Sequence, residues 1–154
     1  MATSLAQIFD RRWITIPMSA DTHERAVREL VHPLQAHPHV QDSDALFEEI
    51  WKREQQESTC VGNGIAFPHA RCDSVDQLVL AAGVSPEGIS FAGIHGKIHL
   101  VFCIGTPKRM GTEYLATVGA LARLLKEETL RSKLLHAKNA DQFLLGIQNA
   151  EKAS

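Results

Sequence analysis

The sequence predicts an α/β sandwich: a single domain over residues 1–154, with a small mixed β-sheet flanked by helices on both faces. Two apolar runs, 77–84 (QLVLAAGV) and 98–104 (IHLVFCI), read as buried strands. Stretches with apolar residues at helical spacing lie both before and after them, so each face of a sheet has helices to cover it. A length of 154 residues with 44% hydrophobic residues is enough for one ordinary core and leaves little room for a second. There is no internal repeat and no low-complexity linker. Strand order does not follow from these patterns.

Taken in order, residues 4–9 suggest a short helical turn. Trp13-Ile14-Thr15-Ile16 is aromatic and β-branched and is stopped by Pro17, which predicts a short strand. Asp21 followed by Glu24 has the spacing of a capping box, and Ala26, Val27, Leu30 and Leu34 continue as a helix that Pro33 kinks or ends. His37-Pro38-His39 is a loop. Asp42 or Ser43 caps a second helix with Leu46, Phe47, Ile50 and Trp51 on its apolar face and a polar tail from Arg53 to Glu57. Gly62-Asn63-Gly64 is a tight bend, residues 65–67 are a strand, and Pro68 ends it. Between the two long strands, Pro86-Glu87-Gly88 reads as a turn and residues 89–91 as a brief extra strand. A loop over 105–111 leads to a helix capped by Thr112, with Leu115, Val118, Leu121, Ala122 and Leu125 as its stripe. Residues 127–135 form a further helix. Asn139, with Gln142 three residues on, starts the last one.

Composition narrows the function. A formal net charge of −2 gives no bulk positive field for a phosphate backbone, so nucleic acid is not expected as a partner. No apolar run approaches the roughly 20 residues that span a bilayer, so direct membrane insertion is not expected either. Residues 1–10 lack the basic and apolar segments of a signal peptide. The three cysteines, Cys60, Cys72 and Cys103, form no CxxC pair; a reducing, cytoplasmic location is the simplest reading.

One histidine is placed unlike the rest. In Gly62-Asn63-Gly64-Ile65-Ala66-Phe67-Pro68-His69-Ala70-Arg71, it follows a rigid apolar run and a proline and precedes an arginine by two residues. A neutral imidazole is a competent nucleophile at neutral pH. Phosphoryl transfer needs such a nucleophile in line, with cations or N–H groups around the equatorial oxygens. Arg71, Arg53 and the backbone N–H groups of Gly62, Asn63 and Gly64 are candidates to supply them. On these residues alone, a hydrogen-bonded surface histidine is an equal alternative.

The longer string is more specific. Arg53-Glu54, Ser58-Thr59, Gly62 and Ile65-Ala66-Phe67-Pro68-His69 resemble the signature of the IIA phosphocarrier domains of the bacterial sugar phosphotransferase system, mannitol/fructose type, including its nitrogen-regulatory branch. The resemblance continues through Gly88-Ile89-Ser90-Phe91, residues 98–102, the Pro107 loop and the helices to Ile147, and so covers nearly the whole chain. It implies that His69 accepts a phosphoryl group from a histidine-phosphorylated carrier protein through Nε2, with Arg53 as the phosphate clamp. It implies that the group then passes to a IIB partner, or that the phosphorylation state regulates a target. No cofactor and no metal are implied. A free-standing chain leans to the nitrogen-regulatory type over sugar uptake. The other possibility is a regulatory binding module that has kept the fold without the transfer.

One position departs from the family pattern. A second active-site histidine is common there at the start of the helix after the proline loop, and Tyr114 stands in its place. A tyrosine can donate one hydrogen bond to a phosphate oxygen but cannot become a cation near neutral pH; packing alone is the alternative, and Lys108 or Arg109 could compensate. Among the other histidines, His32, His37 and His39 read as solvated in preference to zinc ligands. His99 reads as hydrogen-bonded within the sheet, and His23 and His136 as lying on solvated helix faces. Cys72 reads as a small packing residue.

Overall fold

Polar caps and alternating apolar positions divide the chain into short elements. The computed structural model describes residues 4–154, and the Met1–Thr3 part of the N-terminal reading lies outside the described residues. In order the elements are α1 (Leu5–Ile8), β1 (Ile14–Thr15), α2 (His23–Val31), α3 (Ser43–Gln56), β2 (Cys60–Gly62), β3 (Ile65–Ala66), β4 (His69–Arg71), β5 (Val79–Ser90), β6 (Lys97–Thr106), α4 (Gly111–Leu124), α5 (Glu128–Leu135) and α6 (Ala140–Ala153).

Among the described residues, six strands form one mixed sheet in the order β1-β5-β6-β3-β2, with β4 also pairing β6. The long antiparallel pair β5/β6 runs from Val79↔Gly105 to Ser90↔Lys97. Strand β1 is parallel to β5, β3 and β4 are parallel to β6, and β2/β3 is an antiparallel hairpin. Successive side chains of a strand point to opposite faces. Accordingly Val79, Ala81, Val101 and Cys103 face one core with α2 and α3, whereas Leu80, Ala82, Leu100, Phe102 and Ile104 face a second core with α1, α4, α5 and α6. Both faces are buried, which is why these strands read as continuous apolar runs.

Several element boundaries differ from the sequence reading. Thr22, not Asp21, caps α2 by accepting from Arg25 N–H at 3.4 Å, and Asp21 instead pairs with the Arg25 guanidinium. Asp42 caps α3 and Asn139 caps α6, each accepting from the backbone N–H three residues on, at 3.0 and 2.9 Å. Helix α4 starts at Gly111 after a 3₁₀ turn over Lys108–Met110, so Thr112 lies inside it and caps nothing. Only Leu121 and Leu125 of the predicted stripe are buried; Leu115 is 69% exposed. Trp13 belongs to a 3₁₀ turn and leaves only Ile14–Thr15 as strand. The predicted turn over 86–88 is an irregularity within β5: the register shifts between Val84 and Ile89, Ser85 Oγ accepts from Gly88 N–H at 3.0 Å, and the strand continues. Strands β2 and β4 are three residues each, too short to show a period.

Two features of this architecture place the functional residues. Strand β4 continues the line of β3 along β6, with His69 opposite Ile104. Gly105, next along β6, lets α3 approach: a Cβ there would lie 2.9 Å from Leu46 Cδ1. Helix α3 therefore lies close over this end of the sheet and brings its last turn, with Arg53, to His69.

Candidate active site

His69 opens β4 and is half-buried. Its Nδ1 lies 2.9 Å from the Phe67 carbonyl oxygen. A carbonyl can only accept, so Nδ1 carries the proton and Nε2 keeps its lone pair; Nε2 has no hydrogen-bond partner among the described residues. The ring borders a cleft of about 350 Å³ lined by Glu49, Lys52, Arg53 and Gln56 of α3 and by His69, Ala70 and Arg71 of β4. Size does not mark this cleft: a hollow of about 560 Å³ between α4, α5 and α6 is larger, but has neither histidine nor cysteine in its lining.

Both expected cations are at the cleft. Arg53, half-buried in the last turn of α3, donates from Nη1 to the Glu57 carbonyl at 2.9 Å. Arg71 donates from Nη2 to the Lys108 carbonyl at 2.9 Å, and its guanidinium packs on Gly111 at the start of α4. Each guanidinium has five N–H donors, so both retain donors for another ligand. Arg109 is turned away to the Asp76 carbonyl, 2.7 Å from Nη2, while Lys108 contributes its carbonyl to Arg71. Tyr114 lies against His69, with ring centroids 5.1 Å apart at 32°.

Electrostatics follow from this arrangement. Burial pushes the His69 imidazole below its ordinary range and Arg53 adds to the effect, against an upward pull from the Phe67 carbonyl and the Glu54 carboxylate. His69 is thus held toward its neutral form, the form in which an imidazole can act as a nucleophile. Burial likewise pushes the Tyr114 phenol up, and Arg53 and Arg71 oppose it. Both guanidinium groups therefore act on the phenol as well as lining the cleft.

The bend at Gly62–Gly64 lies elsewhere. It is the turn of the β2/β3 hairpin, with three successive positive φ values at Gly62, Asn63 and Gly64. Gly64 packs at Lys97 and His99, the opposite end of β6 from His69, and none of the three residues lines the cleft. The glycines are required by the hairpin's backbone conformation.

Two residues that sequence reasoning passed over lie beneath the site. Glu54, read as part of a polar tail, is 3% exposed, and His23, read as solvated, is 6% exposed. A signal for both was present: Glu54 is four residues beyond Ile50 on the apolar stripe of α3, and His23 precedes Ala26 and Val27 on that of α2. The other histidines fall away from the site. His95 and His136 are exposed, and His99 donates from Nδ1 to the Ser85 carbonyl at 2.8 Å. His39 pairs with Asp76 at 2.8 Å, and among the described residues no group of three or more His, Cys, Asp or Glu is placed to hold a metal ion. Cys72 is buried beside Ser74.

Comparison with known proteins gives the class. Residues 7–150 match the family described as phosphoenolpyruvate-dependent sugar phosphotransferase system, EIIA 2, and the chain belongs to that family. It is 33% identical over 138 residues to the fructose-specific EIIA component of Haloferax volcanii, covering 89% of this chain and 90% of that protein. It is 30% identical to the fructose-specific EIIABC component of Bacillus subtilis over 96% of its own length, but spans only 24% of that longer protein. Among solved structures, the nitrogen regulatory protein IIA-Ntr of Neisseria meningitidis superposes with a TM-score of 0.83 at 24% identity, covering 93% of this chain and 98% of that one. The complex of IIAMtl with phosphorylated IIBMtl from Escherichia coli gives 0.80 at 22%, covering 92% and 97%. The fold is thus that of IIA domains, which act as phosphohistidine-carrying phosphotransferase components. Both sugar-specific and nitrogen-regulatory proteins are among the relatives, so similarity does not resolve the expected leaning to the regulatory branch. No helix of the described residues is long and apolar enough to cross a membrane.

Proposed function

We propose that this chain is a phosphoryl carrier in which His69 is the phosphoacceptor, Arg53 the phosphate clamp, and Arg71 and Tyr114 phosphate-site neighbours. The observation that carries the reading is the bond from His69 Nδ1–H to the Phe67 carbonyl, which leaves Nε2 as the nucleophilic atom beside two arginines. Nε2 attacks the phosphorus carried by a histidine-phosphorylated donor protein. A P–Nε2 bond forms, the donor's P–N bond breaks, and its electron pair returns to the donor nitrogen. Nδ1 keeps its proton throughout, so the His69 ring gains positive charge as the bond forms, and the Phe67 carbonyl steadies it. Arg53 and Arg71 face the three equatorial oxygens; a guanidinium fork spans two of them. The bonds made and broken are both phosphoramidates, so the group passes on readily to an acceptor, a IIB protein or a regulated target. The step needs neither metal nor organic cofactor.

A second reading, a regulatory binding module without transfer, is carried by Tyr114, which stands against His69 where a second histidine is the family habit. Intact-mass analysis after incubation with phosphoenolpyruvate, enzyme I and the small histidine carrier separates the two. We expect an acid-labile phosphate adduct on the wild type and none on His69→Ala. A wild type that takes up no phosphate overturns the carrier reading in favour of the module. Onward transfer from the phosphorylated chain to a IIB protein identifies the sugar-uptake branch.

A further inference from the structure

The buried carboxylate of Glu54 has no place in the mechanism above, yet it lies one residue beyond the clamp Arg53. A carboxylate that is taken out of water is costly unless it is paired and hydrogen-bonded, and an apolar side chain of similar size would fill the same space at lower cost. Core packing therefore does not account for it. Each of its oxygens has a partner: His23 Nε2 lies 2.7 Å from Oε1, and Thr59 Oγ1 donates to Oε2 at 2.6 Å. From Thr59 the bonds continue into the site. The Thr59 carbonyl accepts from Phe67 N–H at 3.2 Å, and the Phe67 carbonyl accepts from His69 Nδ1–H at 2.9 Å.

We propose that Glu54, held by His23 and Thr59, is a positioning residue for phosphoryl transfer: it fixes Thr59 and, through it, the Phe67 carbonyl that sets the tautomer and direction of the His69 ring. The inference rests on the carrier reading of His69 for its kinetic consequence, though not for its geometry. Strand β3 ends at Ala66 and Pro68 has no N–H to give; Phe67 is held by its ring, stacked on Phe102 at 5.5 Å, by the Ile104 N–H that donates to the Pro68 carbonyl at 2.9 Å, and, on the side of Thr59, by its own N–H. Thr59 precedes β2 and is itself held by Glu54.

His23 completes the device. Its ring stacks on Phe91 at 4.0 Å and meets Trp51 edge-on at 5.0 Å, which holds it in one plane. Its Nδ1 is buried with no partner among the described residues. A ring with its only hydrogen on Nε2 satisfies Glu54 and leaves a bare lone pair at Nδ1; a second hydrogen would bury an unpartnered N–H. Glu54 acts on the His69 ring from beneath the site, where a carboxylate favours the positive charge that the ring gains on attack.

The test uses Glu54→Gln and Thr59→Val, with Thr59→Ser as the conservative rescue. Two readouts are taken: steady-state acceptance of phosphate from the phosphorylated small histidine carrier, and the His69 tautomer from ¹⁵N chemical shifts of the unphosphorylated protein. We expect kcat to fall roughly tenfold or more in Glu54→Gln and Thr59→Val, with KM for the carrier within about twofold of wild type. We expect Thr59→Ser to recover most of the rate. In Thr59→Val, part of the His69 signal should move from the Nδ1–H to the Nε2–H tautomer, a change that a merely structural role would not produce. Thr59 is only part-buried, so its variants remain informative if Glu54→Gln does not fold. Wild-type kcat together with an unchanged tautomer in Thr59→Val overturns the proposal, as does a loss confined to KM. A wild type that accepts no phosphate refutes the carrier reading alone, because the tautomer measurement still decides the role of Thr59 and Glu54.

Discussion

Removing the Arg53 guanidinium should slow phosphate acceptance without unfolding the chain. In the resting protein Arg53 makes one bond, from Nη1 to the Glu57 carbonyl, at the half-buried end of α3. Loss of one such bond costs about 1 kcal/mol, so the Arg53→Ala unfolding midpoint in urea should move little. In the proposed transfer the same side chain faces phosphoryl oxygens that carry the negative charge. A charge-assisted hydrogen bond there is worth about 1.5–3 kcal/mol. At about 1.36 kcal/mol per tenfold, the expected loss of rate is roughly 10- to 150-fold. The assay is rapid-quench transfer from the phosphorylated histidine carrier, read as intact mass. Arg53→Lys should recover only part of the loss, since an ammonium keeps the charge but not the planar fork. A second, independent effect follows from the electrostatics. Arg53 helps to hold His69 below its ordinary pKa, so its midpoint, followed by NMR, should move up in Arg53→Ala. A variant with wild-type transfer rates and an unmoved His69 midpoint would refute the clamp.

Three further outcomes follow from the same geometry. Tyr114→Phe should slow transfer about fivefold, the loss of one ordinary hydrogen bond, because the phenol lies within reach of both site arginines; a wild-type rate would mean that the ring only packs. Gly105→Ala should destabilise the fold by about 1–3 kcal/mol in urea unfolding, since the new Cβ would lie 2.9 Å from Leu46 Cδ1 and 3.2 Å from Val79 Cγ2; an unchanged midpoint would show that α3 does not approach the sheet so closely. His69 is depressed below its ordinary value of 6.5, so transfer should be flat through neutral pH and fall only below 6.5, as the folded protein takes up the proton. The linked stability has the same sign. The unfolded chain protonates first, so the contribution is present above pH 6.5 and is lost as pH falls from there through the folded value; it should vanish in His69→Ala. A rate inflection above pH 6.5 would contradict the burial of the ring.

The long strands were legible in the sequence, and the short strands β2 and β4 were not. Strands β5 and β6 show as apolar runs because both of their faces are covered. Strands β2 and β4 are three residues each and take their conformation from neighbours distant in sequence: β4 pairs with residues 104–106. The turn read at Pro86-Glu87-Gly88 has the right residue types, but cross-strand pairing of Ile89 with Ile98 carries β5 straight through it. Leu115 follows the helical period of its neighbours and is nonetheless exposed, because the period marks a face without saying whether anything covers it.

The same division holds at the site. Local chemistry in the sequence determined the cap at Asn139, narrowed that of α3 to Asp42 or Ser43, and singled out His69 and the pair of arginines that line its cleft. Tertiary structure alone decided that the Gly62–Gly64 bend lies at the far end of β6, that Tyr114 rests on His69, and that Glu54 and His23 are buried together under Arg53. The physical reason is that a side chain's type states which bonds it can make, whereas its partner and its solvation depend on elements brought together by the packing of α2 and α3 on the sheet. A carboxylate in a polar run looks solvated until the sheet and two helices close around it; then it has to be paired, and its partners give it a direction.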